Sequence, residues 1–420
     1  MGVNTDMAKI LSICTYPVSV PRHGGQIRID AIHQVYRNAG HTVRHLALYQ
    51  HNLYPEEPEG PWNVHLSWPF INEVLAKNGS NDVNAADFLL KDANARERVF
   101  NLIRGFEPDI IQLEQCWMWP FIKSMQESSD RLPKVKILYS SQNVEYQLLR
   151  SAAREGKPPA TDAAIALLQR MEMDLVKNSD LVIAVSKLDA DIFHPAAREI
   201  VIACNGIWPS SANTGQEYWS KRFEGQRIAL FVGSAHPPNA SGFMKLLGPS
   251  LGYLSPTETI VVVGGVCNLL HADQLFRESL GINLARVALV GVQDPGGLST
   301  LIDMADVVLV PIIEGGGTNI KMAEALYNRK PIVCTPKATR GYDSFLDMPS
   351  VFVQETADGF KRAMTSILRR GKAEHEPVSR SQARRLETLL WTSTLAGLPS
   401  VIDRLIPSLF GDNYDQDKGI

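Results

Sequence analysis

Twice along this chain, short apolar runs alternate with stretches of helical periodicity, the pattern of a parallel sheet wrapped by helices. The first series runs KILSIC (residues 9–14), HTVRHLALY (41–49), DIIQLEQ (109–115), KVKILYSS (134–141), DLVIAVS (180–186) and EIVIACN (199–205). The stretch WPSSANTGQEYWS (208–220) then breaks the rhythm with turn formers and no periodicity, and it reads as a linker. Beyond it come RIALFVGS (227–234), ETIVVVGGV (258–266), RVALVGV (286–292), DVVLVPI (306–312) and KPIVCTP (330–336). The expectation is an α/β chain of two Rossmann-like doubly wound domains, 1–208 and 221–385, facing a cleft. Apolar residues at roughly helical spacing in 381–409 predict one or two closing helices. A helix near 390–412 is expected to cross back and complete the first domain, although spacing alone does not show where it docks.

Length agrees, since 420 residues exceed what one core usually holds. A net charge of -3 removes the basic footprint that nucleic-acid binding needs. Five dispersed cysteines without a CxxC pair read as reduced core thiols and not as a zinc site or disulfide framework. The opening residues MGVNTDMAKI lack a signal-peptide core, and no apolar run approaches the ~20 residues of a membrane span, so a cytoplasmic location is expected.

In doubly wound sheets, ligands bind beyond the carboxyl ends of the strands. Two glycine-rich loops fall there. HGGQIR brings Gly24 and Gly25 to a helix start, where free amides and the helix dipole can receive a phosphate; a tight turn explains the pair equally well. EGGGTN is sharper: Gly315, Gly316 and Gly317 precede the helix IKMAEALYN and leave several amides open to a diphosphate. Its spacing fits neither the P-loop nor the dinucleotide fingerprint, which argues against ATP hydrolysis and NAD binding. Lys321 and Glu324 share a face of the following helix. They form either a surface ion pair or, as the helix start favours, a phosphate ligand and an acceptor for two ribose hydroxyls. Glu114 and Trp117, at the end of a first-domain strand, suit an acceptor or simple packing. His41, His45 and His194 stand apart without metal-ligand spacing and read as structural.

These landmarks, in order, resemble the retaining glycosyltransferases of the GT-B fold, in the large group called family four. PVSVPRHGGQIRIDAIHQVYRNAGHTV is similar to their N-terminal glycine loop, SKLDADIF and CNGI to the end of their first domain, FVGSAHPPN to the opening of their second, and PIIEGGGTNIKMAEALYNRKPIVCTPKATRGYD to their donor segment. The resemblance implies transfer from a UDP- or GDP-sugar to a hydroxyl acceptor, with retention and with neither metal nor other cofactor. The acceptor would be a sugar, a lipid-linked glycan or a small molecule in bacterial glycan, polysaccharide or glycoconjugate biosynthesis, and peripheral contact with the inner face of the membrane stays open.

Carried over by position, Gly24 and Gly25 would line the phosphates, Gly316, Gly317, Thr318 and Asn319 the sugar and diphosphate, and Glu324 the ribose. Gly233, Ser234, Glu314 and Gly315 complete the donor side. The sequence departs from the family at three places. Gly316 stands where a first glutamate is customary, with Glu314 two residues earlier. Ser234 and Asn239 stand where an arginine and a lysine are customary, leaving His236, Lys321 or Arg340 to neutralise the diphosphate. Gln142 and Asn143 lie nearest to a customary first-domain histidine. A GT-B epimerase, and a degenerate GT-B protein that binds a glycan or partner without catalysis, are the competing readings.

Overall fold

The computed structural model describes residues 7–77, 79–128, 135–154, 161–209, 211–314, 319–370 and 379–406. Expectations that fall on Gly315, Gly316, Gly317, Thr318 and the segment after residue 406 lie outside the described residues.

The chain forms two compact units, one of residues 1–204 with 395–420, the other of residues 205–394. Unit one holds strands β1 (Lys9–Cys14), β2 (Thr42–Tyr49), β3 (Asn63–His65), β4 (Ile110–Leu113), β5 (Lys136–Ser140), β6 (Leu181–Ala184) and β7 (Ile200–Ile202) in the order β3-β2-β1-β4-β5-β6-β7. Every pair is parallel. The strands β1, β4 and β6 are nearly all buried, as continuous apolar runs covered on both faces must be. Strand order reverses between β1 and β4, so the first turn after β1 opens at a topological switch point.

The helix Leu398–Leu405 belongs to unit one, where Leu398, Val401 and Ile402 are buried and Arg404 pairs with Glu199 at 3.0 Å. Its Asp403 lies 3.7 Å from buried His41. These contacts group the helix with unit one.

Unit two repeats the plan with β8 (Arg227–Val232), β9 (Glu258–Val263), β10 (Val287–Gly291), β11 (Val307–Val310), β12 (Ile332–Cys334) and β13 (Val351–Val353), ordered β10-β9-β8-β11-β12-β13 and parallel throughout. Its switch point lies between β8 and β11. One departure from the sequence reading concerns the linker. Residues Gln216–Arg222 form a helix, because Trp219 can bury itself and stack on Phe223 with centroids 6.0 Å apart. No helix among the described residues is long and apolar enough to cross a membrane, and the five cysteines are unpaired.

Candidate functional site

The loops that leave β8, β11 and β12 at their carboxyl ends carry the second-unit candidates. After β8, Gly233 turns the chain towards the helix Pro237–Leu246, whose exposed N-cap is His236. A Cβ on Gly233 would meet Val266 at 2.8 Å, and one on Gly264 would meet the Gly233 carbonyl at 2.2 Å, so glycines let the two loops touch. Ser234 is half-buried and receives the Asn239 side-chain amide, whose Nδ2 donates to the Ser234 carbonyl at 2.9 Å and lies 3.2 Å from its hydroxyl. This fixes the amide plane and turns Asn239 Oδ1 towards Lys321, which donates to it at 2.7 Å.

Lys321 and Glu324 sit on the helix Ile320–Tyr327, capped by Asn319, whose Oδ1 accepts from the Lys321 amide at 3.1 Å. Tyr342 anchors the cap by donating to the Asn319 carbonyl at 2.8 Å. Desolvation lowers Lys321 to about 8, with Glu324 opposing the shift, and raises Glu324 to about 7, with Lys321 opposing it. Among the described residues no donor hydrogen-bonds the Glu324 carboxyl. A half-buried carboxylate without a donor among the described residues, one turn into a helix and beside an ammonium that donates to a neutral amide and lies 5.9 Å from the Phe231 ring centroid, is an incomplete arrangement. Two hydroxyls and an anion would complete it. Glu314 lies half-buried before this helix and Arg340 half-buried past β12. A cavity of about 360 Å³ lined by Gln226, Arg227, Thr300, Asp303 and Asp306 opens at the other, amino-terminal edge of the same sheet, away from these groups.

In unit one, Gly24 opens the helix Gly24–Asn38. Gly25 is packed as well as placed: a Cβ there would lie 2.4 Å from both the Tyr16 hydroxyl and Gln142 Oε1, which hydrogen-bond each other at 2.8 Å. The amide nitrogen of Gln142 is buried without a partner among the described residues. Asn143 is half-buried beside it and its carbonyl accepts from Ser141 Oγ at 2.6 Å.

Glu114 is fully buried, and its Oε1 accepts from Ser12 at 2.8 Å and Gln112 at 2.6 Å. The Trp117 indole donates to Gln115 at 3.0 Å. The other Glu114 carboxyl oxygen, Oε2, is buried without a hydrogen-bond partner among the described residues. His45 is likewise tied to Ser12 and to the Tyr16 carbonyl.

The sequence reading assigned no role to Glu145, which opens the helix Glu145–Arg154 three residues after Gln142. Burial, with the neighbouring Glu172 carboxylate, pushes its carboxyl up to about 8. Glu172 accepts from the Glu145 and Tyr146 amides at 3.0 and 3.1 Å, satisfying that helix start from within. An acidic residue in a first turn is visible in SSQNVEY; its burial is not.

No protein-family model matches the chain, and no curated protein is significantly similar to it in sequence. Solved structures do match over nearly the whole length. Sucrose-phosphate synthase of Thermosynechococcus elongatus aligns at a TM-score of 0.66 and 14% identity, over 95% of this chain and 99% of that one. HepE of Anabaena, solved with UDP-glucose, aligns at 0.63 and 16%, over 94% and 100%. A glycosyltransferase of Rickettsia africae aligns at 0.61 and 13%, over 96% and 100%. The architecture is the one these glycosyltransferases share, the GT-B fold.

Proposed function

We propose that the chain is a retaining glycosyltransferase that moves a sugar from a UDP- or GDP-sugar to a hydroxyl acceptor, with Glu324 receiving the ribose and Lys321 the diphosphate. The observation that carries this reading is the Glu324 carboxyl, half-buried at the switch point of unit two and without a hydrogen-bond donor among the described residues. A nucleoside offers two vicinal hydroxyls, which is what one carboxylate can accept. HepE of Anabaena has been solved with UDP and with UDP-glucose, and the starch synthase of Arabidopsis thaliana with ADP, which supports a nucleotide on this fold.

The chemistry asked of the site is modest. As the anomeric bond to the diphosphate breaks, negative charge grows on the leaving oxygens, and a cation already in place stabilises it without reorganisation. Lys321 serves because its hydrogen-bond partner Asn239 is neutral, and Glu324, the nearby carboxyl, would be engaged by the ribose. With the leaving group held, the acceptor hydroxyl can attack from the same face, and no enzymatic nucleophile is needed. Neither metal nor other cofactor has a step in this scheme. The acceptor is a sugar, lipid-linked glycan or small molecule of bacterial glycan assembly, met in the cytoplasm or at the inner membrane face.

Calorimetric titration with UDP and GDP tests the assignment. Glu324→Ala should weaken the preferred nucleotide by about 1 to 3 kcal/mol, the order of charge-assisted hydrogen bonds. Equal affinity in the variant and wild type would remove Glu324 from the donor site.

A further inference from the structure

Unit one carries a second cluster that the transfer reaction does not use. His51 lies in the 3-10 turn His51–Leu53 just after β2, Glu59 in the loop that follows, and His65 at the end of the edge strand β3. The pairing of Tyr49 with His65 across β2 and β3 brings the two ends of this excursion together. The ring centroids of His51 and His65 are 4.6 Å apart. One ligand atom from each of the three residues lies within 4.8 Å of the others.

The distances select a chemistry. Glu59 Oε1 lies 3.7 Å from His51 Nδ1 and 4.0 Å from His65 Nε2, beyond hydrogen-bond range in both directions. Glu59 thus sits within 4.0 Å of two imidazoles whose rings are in contact, and the hydrogen bond between Tyr49 and His65 Nε2 does not tie the three together. A tetrahedral ion with bonds of about 2.0–2.2 Å sets its ligands roughly 3.4 Å apart, so the Glu59 contacts of 3.7 and 4.0 Å would tighten by about 0.3 and 0.6 Å and the histidine nitrogens, within 4.8 Å of each other, would close by up to about 1.4 Å. His51 and Glu59 are exposed and have the side-chain freedom to close on an ion, while half-buried His65 is held by the sheet. We propose that His51, Glu59 and His65 bind a divalent transition-metal ion of the zinc class.

Two imidazoles and one carboxylate suit Zn²⁺, Co²⁺ or Ni²⁺ and not the all-oxygen shells of Mg²⁺ or Ca²⁺. The Arg98 charge opposes a cation and the Glu59 carboxylate offsets it. Three protein ligands leave a fourth position open. The Tyr49 hydroxyl is hydrogen-bonded to His65 Nε2 at 3.3 Å and would yield that nitrogen to the ion. A bound ion would clip the excursion of residues 51–65 to the edge of the sheet. This site shares no residue with the donor assignment and stands or falls separately from it.

The test is a titration of the tag-free full chain, stripped of metal, with Co²⁺ and then Zn²⁺. One equivalent of Co²⁺ should give visible bands of a tetrahedral N/O site that Zn²⁺ abolishes, and Zn²⁺ but not Mg²⁺ should raise the melting temperature. His65→Ala and Glu59→Gln should each weaken Zn²⁺ binding at least tenfold, by about the scale seen even for outer-shell changes. His194→Ala, an exposed histidine elsewhere in unit one, should bind as wild type does. Absence of a one-to-one site, or affinity unchanged in both ligand variants, would show that the cluster is only a surface histidine–glutamate pairing and overturn the proposal.

Discussion

Lys321 and Glu324 stand three residues apart on one helix, yet burial shifts them towards each other, to about 8 and about 7. Nucleotide affinity should therefore rise as pH passes 7, where Glu324 ionises, and fall beyond 8, where Lys321 loses its proton. Glu324→Gln should flatten the acid limb and Lys321→Met the alkaline one in calorimetry across pH 6 to 10. Because the folded state holds the Glu324 proton above the ordinary 4.5, stability is lost as pH rises from there to about 7. Glu324→Gln should accordingly make the ligand-free protein more stable at pH 8, by about 1 kcal/mol after solvent screening, while weakening its ligand. Asn239→Asp would set a carboxylate 2.7 Å from the Lys321 ammonium, raising its pKa and moving the alkaline limb up, while cancelling charge that the diphosphate needs. Lys321 and Glu324 were legible in the sequence as a pair on a helix after a glycine run. The link of Lys321 to Asn239, across 82 positions, was not, since nothing local in FVGSAHPPN announces a partner so distant.

At the scale of elements, long apolar strands declare themselves and very short ones do not. β3 and β13 have three residues each and neither was expected from the sequence, whereas the equally short β7 and β12 lie in the apolar runs EIVIACN and KPIVCTP and were. The same shortness hid the His51, Glu59 and His65 cluster, whose members come from a turn, a loop and a strand end and meet only through the β2–β3 register. Helix placement depends on close approaches that glycine permits. A Cβ on Gly242 would lie 2.0 Å from the Pro311 carbonyl, so the helix Pro237–Leu246 packs on the end of β11 only because that atom is missing. Gly242→Ala should push the helix outward and carry Asn239 away from Lys321. The expected outcome is a loss of about 1 to 3 kcal/mol in denaturant unfolding together with weaker nucleotide binding.

For the whole molecule, the alternation of strand and helix patterns disclosed two parallel sheets and their carboxyl-end loops, because each pattern is set by burial on both faces of a sheet. The dependence of unit one on the far end of the chain is less visible, since apolar spacing shows that a helix has a face to bury and not where. Ile402, fully buried in the helix Leu398–Leu405, is the residue to test. Ile402→Ala should cost about 2 to 4 kcal/mol, read as a lower midpoint in denaturant. The central claim, a nucleotide-sugar donor held through Glu324, is tested most directly by a thermal-shift screen of nucleoside diphosphates and their sugars against wild type and Glu324→Ala. The account predicts that UDP or GDP compounds raise the wild-type melting temperature by mass action and that the variant loses most of that rise. No stabilisation of the wild type by any nucleotide, or an equal rise in both proteins, would contradict it.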